Sequence, residues 1–220
     1  MPCLKALNSG NGVPLVFLHG FLGSSADWIP LVKHLPTFHI FAIDLPGHGE
    51  TPFHEEIKIE LPYFHLIGYS MGGRIAMGYA KKYPEKIASL QIISAHPGFK
   101  TEEEKKKRFI HDQKWTDLLL KVPIDEFLMR WYDQPIFRPF VPDISMRKKQ
   151  NVAGLRSALL HFSLGKQERF EINQAYVGER DVKFLSLYSN PNVIPNSGHM
   201  VHLENPKALA DQLQKRLICV

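Results

Sequence analysis

The stretch Phe64–Pro84, FHLIGYSMGGRIAMGYAKKYP, decides how the rest of the chain is read. It starts as an apolar run of strand length, passes through a serine flanked by glycines, and continues with apolar residues at the three- and four-residue steps of a helix. Gly68-Tyr69-Ser70-Met71-Gly72 fits G-x-S-x-G, the pattern of a strand-to-helix corner sharp enough to leave the serine oxygen exposed. Small flanking residues let the chain pass closely there, and Gly73 permits tight packing of the helix that follows. A plain tight turn between a buried strand and its covering helix would satisfy the same five residues. The choice depends on what else the chain supplies.

Outward from that corner, similar apolar runs recur, with Gly, Pro or Asp toward their C-terminal ends: VPLVFLHG (13–20), FHIFAIDLPGHG (38–49), LQIISAHPG (90–98), FEINQAYVGERD (170–181) and NVIPNSGH (192–199). Helical patterns lie between several of them, namely SSADWIPLVKHLP (24–36), GRIAMGYAKKYPEKI (73–87) and NPKALADQLQKRLI (205–218). Strands alternating with helices predict an α/β fold, a mainly parallel sheet of about six to seven strands covered on both faces. In such sheets functional groups gather at the C-terminal ends of strands. Here those ends carry His19, Asp44, Ser70, His96, Asp181 and His199.

The rhythm breaks between about Gly98 and Glu168, where no buried strand is predicted and charged amphipathic segments dominate. Residues 98–168 are therefore expected to form an inserted helical cap over the functional edge, with residues 1–97 and 169–220 forming the core. The chain is 220 residues long and 44% apolar, the size of one large domain with a substantial core. No run reaches the 18 or more apolar residues of a membrane helix, and MPCLKALNSGNG lacks the apolar region of a signal peptide, so a soluble cytoplasmic protein is expected. Cys3 and Cys219 are too few and too peripheral for a disulfide framework or a metal cluster, and read as free thiols. The net charge of +5 is partly concentrated in EEEKKKR (102–108), acids before bases as on a helix complementing its dipole. That run is either a solvated face or an anion-attracting mouth. Without a basic stripe interleaved with aromatics, nucleic acid is not an expected partner.

A serine at its ordinary pKa needs a histidine within hydrogen-bond reach and a carboxylate to orient that histidine. Asp181 and, 18 residues on, His199 each follow an apolar strand, completing the order Ser, acid, His found in α/β-hydrolases. Taken singly, Asp181 could be a helix N-cap and His199 a loop residue. Developing oxyanion charge would be met by the N–H of Met71 at the helix start and by that of Phe21 in the HGFLGSS loop, where Gly20 lets the chain turn. His19 and His48 read as braces of their loops. Arg74 lies one helical turn beyond Ser70 on the same face, where its guanidinium beside a helix N-terminus would either trap a carboxylate or bind neighbouring loops.

With these residues in view the chain resembles the α/β-hydrolase superfamily, and within it the 2-succinyl-6-hydroxy-2,4-cyclohexadiene-1-carboxylate synthase family of menaquinone biosynthesis. LHGFLGSSADW, DLPGHG and GYSMGGR fit many hydrolases; WYDQPIF (131–137), SLGKQ, GERDVKF and SGHMVHLENP are more particular. The resemblance implies elimination of pyruvate from 2-succinyl-5-enolpyruvyl-6-hydroxy-3-cyclohexene-1-carboxylate, with Ser70, His199 and Asp181 as the base and no metal or organic cofactor. It implies an anionic small-molecule substrate met by Arg74, Arg108 and Arg147, with Trp131, Tyr132 and Phe137 as an aromatic wall and Tyr69 beside the corner. Packing within the cap is the other reading of those aromatics. The chain would act as a monomer or weak homo-oligomer. The same triad could instead serve a serine hydrolase of a small ester, amide or carbon-carbon bond, or the fold a catalytically silent binding protein. The chain departs from the family in three places. ETPFHEEIKIELPYFHLI (50–67) leaves no room for the usual helix, and CLKAL allows one leading strand at most. Met200 stands where a polar residue is expected.

Overall fold

The sheet is built around two central strands that are mainly apolar and buried over most of their length. The computed structural model describes residues 4–140, 142–172 and 175–217; Cys3 and Cys219, and the parts of the predicted elements on residues 173, 174 and 218, lie outside them. The strands are β1 (Leu4–Ser9), β2 (Asn11–Leu18), β3 (Phe38–Ile43), β4 (Phe64–Tyr69), β5 (Ile87–Ile93), β6 (Tyr176–Gly178) and β7 (Asn192–Ile194). They pair in the order β1-β3-β2-β4-β5-β6-β7. Every pairing is parallel except β1 with β3, so one antiparallel edge strand replaces a leading hairpin.

Successive residues of a strand point to opposite faces. Leu15 and Phe17 of β2 accordingly join one apolar cluster with Trp28, Leu31 and Leu213, while Val16 and Leu18 join another with Leu66, Met77 and Ile92. Both faces of the sheet are thus sealed, and each such buried side chain contributes about 1.5–3 kcal/mol. All six residues of β4 are buried, which fixes the corner that follows it at the centre of the molecule.

The helices are α1 (Ile29–Val32), α2 (Met71–Lys82), α3 (Glu102–Lys121), α4 (Ile124–Tyr132), α5 (Val152–His161), α6 (Val182–Leu185), α7 (Val201–Glu204) and α8 (Pro206–Leu217). The pattern at 24–36 yields less helix than its periodicity suggests: a 3₁₀ turn, Ser25–Trp28, then the single turn of α1. Pro36 bars continuation, and the chain leaves through tight bonds from His34 to Leu31 and from Leu35 to Val32. Likewise α2 ends at Lys82 before Pro84 rather than running to Ile87, which instead opens β5.

Residues 50–63 contain no helix and cross the sheet as irregular chain that inserts Ile57 and Ile59 into the core. Between β5 and β6 the described residues form no strand, only α3, α4, α5 and short 3₁₀ turns. The start of α3 is fixed by a capping box in which Glu104 N–H donates to Thr101 Oγ1 and Thr101 N–H donates to the Glu104 carboxylate. Asn151 caps α5 by accepting from the Gly154 N–H.

Candidate active site

Ser70 occupies the corner between β4 and α2 with φ +50° and ψ −112°, a conformation that costs a non-glycine residue about 1–3 kcal/mol. Two backbone bonds hold it there: its N–H donates to Ile93 O at 2.9 Å, and its carbonyl accepts from Arg74 N–H at 3.1 Å. The close passage explains the flanking glycines. A Cβ at Gly68 would lie 2.5 Å from Gly72 O, and one at Gly72 would lie 2.3 Å from His19 O. Met71 is the first helical residue, so its N–H has no acceptor within α2 and is free to face a ligand.

Two other strand ends deliver partners for the hydroxyl. His199 follows β7, and its Nε2 lies 3.3 Å from Ser70 Oγ; its Nδ1 lies 2.7 Å from Oδ2 of Asp181, which follows β6. Both residues are buried. The loop carrying His199 is pinned by Glu204, whose carboxylate accepts from the N–H groups of Gly198 and Met200 and from Arg180. Phe184, Tyr69 and Phe137 pack around the imidazole with ring centroids 4.7, 5.4 and 5.8 Å away. A hydroxyl, an imidazole and a carboxylate in this sequence of contacts can pass a proton from an oxygen-bound or carbon-bound donor to nitrogen.

Phe21 is placed by a brace behind it. His19 Nδ1 bonds Gly20 O at 2.7 Å and its Nε2 accepts from Leu45 N–H at 2.9 Å, an arrangement that only the neutral ring satisfies. Burial lowers the pKa of His19 and pushes that of His48 down to about 3. His48 packs edge-on against both His19 and Phe21. Asp44 completes the brace by accepting from Ser25 N–H at 2.6 Å and from Lys5 at 2.7 Å.

Above Ser70 opens a cavity of about 590 Å³, lined by Phe21, Met71, Trp131, Phe137, Phe184 and His199 among others. Its wall also carries Arg74, Arg108, Arg138, Arg180 and Lys183, against Asp181 as the acidic residue. Arg108 is bonded to buried Asp112 at 2.7 Å, and Arg138 and Arg180 pair with Asp133 and Glu204. Arg74 and Lys183 pair with no carboxylate among the described residues. Arg74 instead donates to Phe162 O at 2.5 Å. Burial, with help from Arg108, lowers its pKa to about 9, which leaves it charged at neutral pH. Among the described residues no cluster of three or more His, Cys, Asp or Glu side chains is arranged to hold a metal ion.

The predicted residues are not all alike in this geometry. Arg147 is buried beside a small recess of about 30 Å³ behind Ser70, which Tyr69, Tyr132 and Met200 also border. There it forms an ion pair with Asp27 and donates Nε–H to Tyr132 Oη at 2.6 Å, so its charge is already met within the protein. Burial pushes the Tyr132 phenol up to about 12. Trp131 packs against Phe21 at 4.9 Å and against Phe127 and Trp115, so it is both cavity wall and internal packing of the 98–168 segment. Within 102–108 the outer residues form exposed pairs such as Lys107 with Glu103, while Arg108 turns to the cavity.

The chain matches the alpha/beta hydrolase family over residues 15–212. It belongs to that family. Among its alpha/beta hydrolase relatives, the 2-succinyl-6-hydroxy-2,4-cyclohexadiene-1-carboxylate synthase of Enterobacter sp. (strain 638) is 33% identical over 89% of this chain and 88% of that protein. The enzyme of the same name from Salmonella heidelberg (strain SL476) is 32% identical over 94% of each. Among solved structures of the fold, MenH from S. aureus superposes with a TM-score of 0.84 at 25% identity, covering 98% of this chain and 97% of that one.

Several lining residues of this alpha/beta hydrolase site have no counterpart among the candidates read from sequence. Lys183 and Phe184 sit in GERDVKF but carry no pattern of their own; their position two and three residues past Asp181 was the available signal. Asp27, the partner of Arg147, lies 120 residues from it, a separation that no local pattern bridges. His96 stands at a strand end, and that placement marks it without assigning it a role.

Proposed function

We propose that the chain is a 2-succinyl-6-hydroxy-2,4-cyclohexadiene-1-carboxylate synthase, a cytoplasmic carbon-oxygen lyase that releases pyruvate. The observation that carries this reading is the Ser70–His199–Asp181 relay opening into a cavity whose cations outnumber its acids. The relatives of that name add to it. His199 accepts the Ser70 proton, and Asp181 stabilises the imidazolium that forms. Ser70 Oγ removes the ring proton next to the succinyl carbonyl, and the enolate oxygen is met by the N–H groups of Phe21 and Met71. The electron pair then moves through the ring double bond and expels the enolpyruvyl oxygen from its ring carbon, and the departing pyruvate enolate takes up the proton held by the relay to become pyruvate. Arg74, with Arg108 beside it, meets substrate carboxylates; Trp131 and Phe137 wall the ring, Tyr132 supports that wall from the recess, and Tyr69 backs the corner. Arg147 acts through Tyr132 and the recess. Residues 98–168 form the cap that keeps water from the enolate.

Supplying the enolpyruvyl cyclohexene carboxylate and following pyruvate tests this. Intact protein is expected to release one pyruvate per substrate, and Ser70→Ala to lose that activity while keeping its fold. Full activity in Ser70→Ala removes the base assignment. A burst with a chromogenic ester, and no pyruvate release by the intact protein, moves the chain to the serine hydrolases.

A further inference from the structure

His96 follows β5 and lines the same cavity as Ser70, Arg74 and Arg108. Its two nitrogens are not equivalent. Nδ1 lies 3.0 Å from the backbone nitrogen of Gly98, and an amide N–H only donates, so Nδ1 must hold a lone pair. In the neutral ring the proton then resides on Nε2. The turn that makes this contact is rigidly specified. Gly98 has φ +113°, and a Cβ there would lie 2.5 Å from Glu168 O. The His96 carbonyl accepts from Gln167 Nε2 at 3.3 Å, and the Phe99 ring packs on the imidazole at 4.6 Å.

Lys183, Arg108, Arg74 and Arg169 surround the ring with positive charge, and Glu104 is the acid near it. Burial first, and these cations after it, lower the pKa of His96 to about 4, so the ring is neutral at physiological pH. We propose that His96 is a substrate-binding residue whose Nε2–H donates a hydrogen bond to a carboxylate oxygen of the ligand, beside the guanidinium groups of Arg74 and Arg108. A further cation in that cluster would repel its neighbours, whereas a neutral donor adds direction to the site without adding charge. With Nδ1 occupied and Nε2 protonated the ring has no lone pair for the substrate, which separates its role from that of His199.

The inference rests on the reading that the cavity takes a carboxylate-bearing substrate, and its test separates the two. Imidazole ¹⁵N spectra of the resting protein are expected to show His96 as the Nε2–H tautomer from about pH 8 to about pH 5. Adding succinate as a simple dicarboxylate probe is expected to shift the Nε2 signal. In turnover, His96→Phe is expected to raise KM roughly 10–100-fold, the range for a bond to a charged acceptor, with kcat changed less than about threefold. His96→Gln, which keeps an N–H donor, is expected to recover most of the loss, a rescue that a packing role would not give. An Nδ1–H tautomer, a signal indifferent to succinate, or an unchanged KM in His96→Phe overturns the assignment. Should His96→Phe fail to fold, the spectra of the unsubstituted protein still decide. If that protein releases no pyruvate, the functional reading fails, and the succinate response alone decides for His96.

Discussion

Arg147 and Asp27 form a two-point ion pair, Nη2 to Oδ2 at 2.9 Å and Nη1 to Oδ1 at 3.2 Å, that ties the helical segment after β5 to the turn after β2. Their side chains are only 6% and 11% exposed. Removing one partner strands a buried charge, which costs about 3–5 kcal/mol. Asp27→Ala is therefore expected to lose that much stability in urea unfolding. Adding Arg147→Met to it should return part of the loss, and the coupling between the two is read from a double-mutant cycle.

The glycines of β4 and α2 divide into two kinds. Gly68→Ala forces a methyl against Gly72 O and is expected to cost more than about 2 kcal/mol. Gly78, mid-way along α2, has nothing nearer to an added Cβ than Phe170 Cζ at 4.0 Å. Gly78→Ala is expected to stabilise by about 0.5–1 kcal/mol, read as a rise in Tm.

Acid sensitivity follows from the buried imidazoles. His19, His48 and His202 are fully buried and held neutral by desolvation, His48 with its pKa down at about 3. Below the unfolded value of about 6.5 the unfolded chain binds protons that the folded one refuses, so stability falls as pH falls. For His48 that loss continues down to its folded value of about 3. Each such histidine contributes up to about 1.4 kcal/mol per pH unit. Denaturant midpoints measured across this window should drop steeply toward acid, and His48→Gln should flatten the slope.

Arg74 offers a test that separates charge from geometry. Arg74→Ala is expected to raise KM by roughly 10–100-fold through loss of a charge-assisted bond. Arg74→Lys keeps the charge and loses the planar fork, so it should fall between the two. Steady-state kinetics at fixed ionic strength give the comparison.

The central sheet and its corner were legible because each rests on a local rule. β4 is buried throughout and apolar but for His65 since both its faces are covered, and G-x-S-x-G is small at the positions where backbones touch. The meeting of Ser70, Asp181 and His199 could be anticipated from their order at strand ends, and the structure brings them together. What resisted reading was interaction at long range. Arg147 carries the same sequence signal whether it faces a ligand or Asp27, and only tertiary placement separates the two. The helix expected at 24–36 shrank for another reason: proline closes it at 36, while its apolar residues satisfy the core equally well from a 3₁₀ turn.

The segment from residue 50 to 63 seals one side of the sheet by plugs rather than by a packed helix, chiefly Ile57 and Ile59. A covering of that kind has no ladder of its own to interrupt. For protein engineering this makes the exposed stretch around Glu55 and Glu56 a natural insertion point, where a tag or reporter would ride outside the globule while the two isoleucines keep the seal.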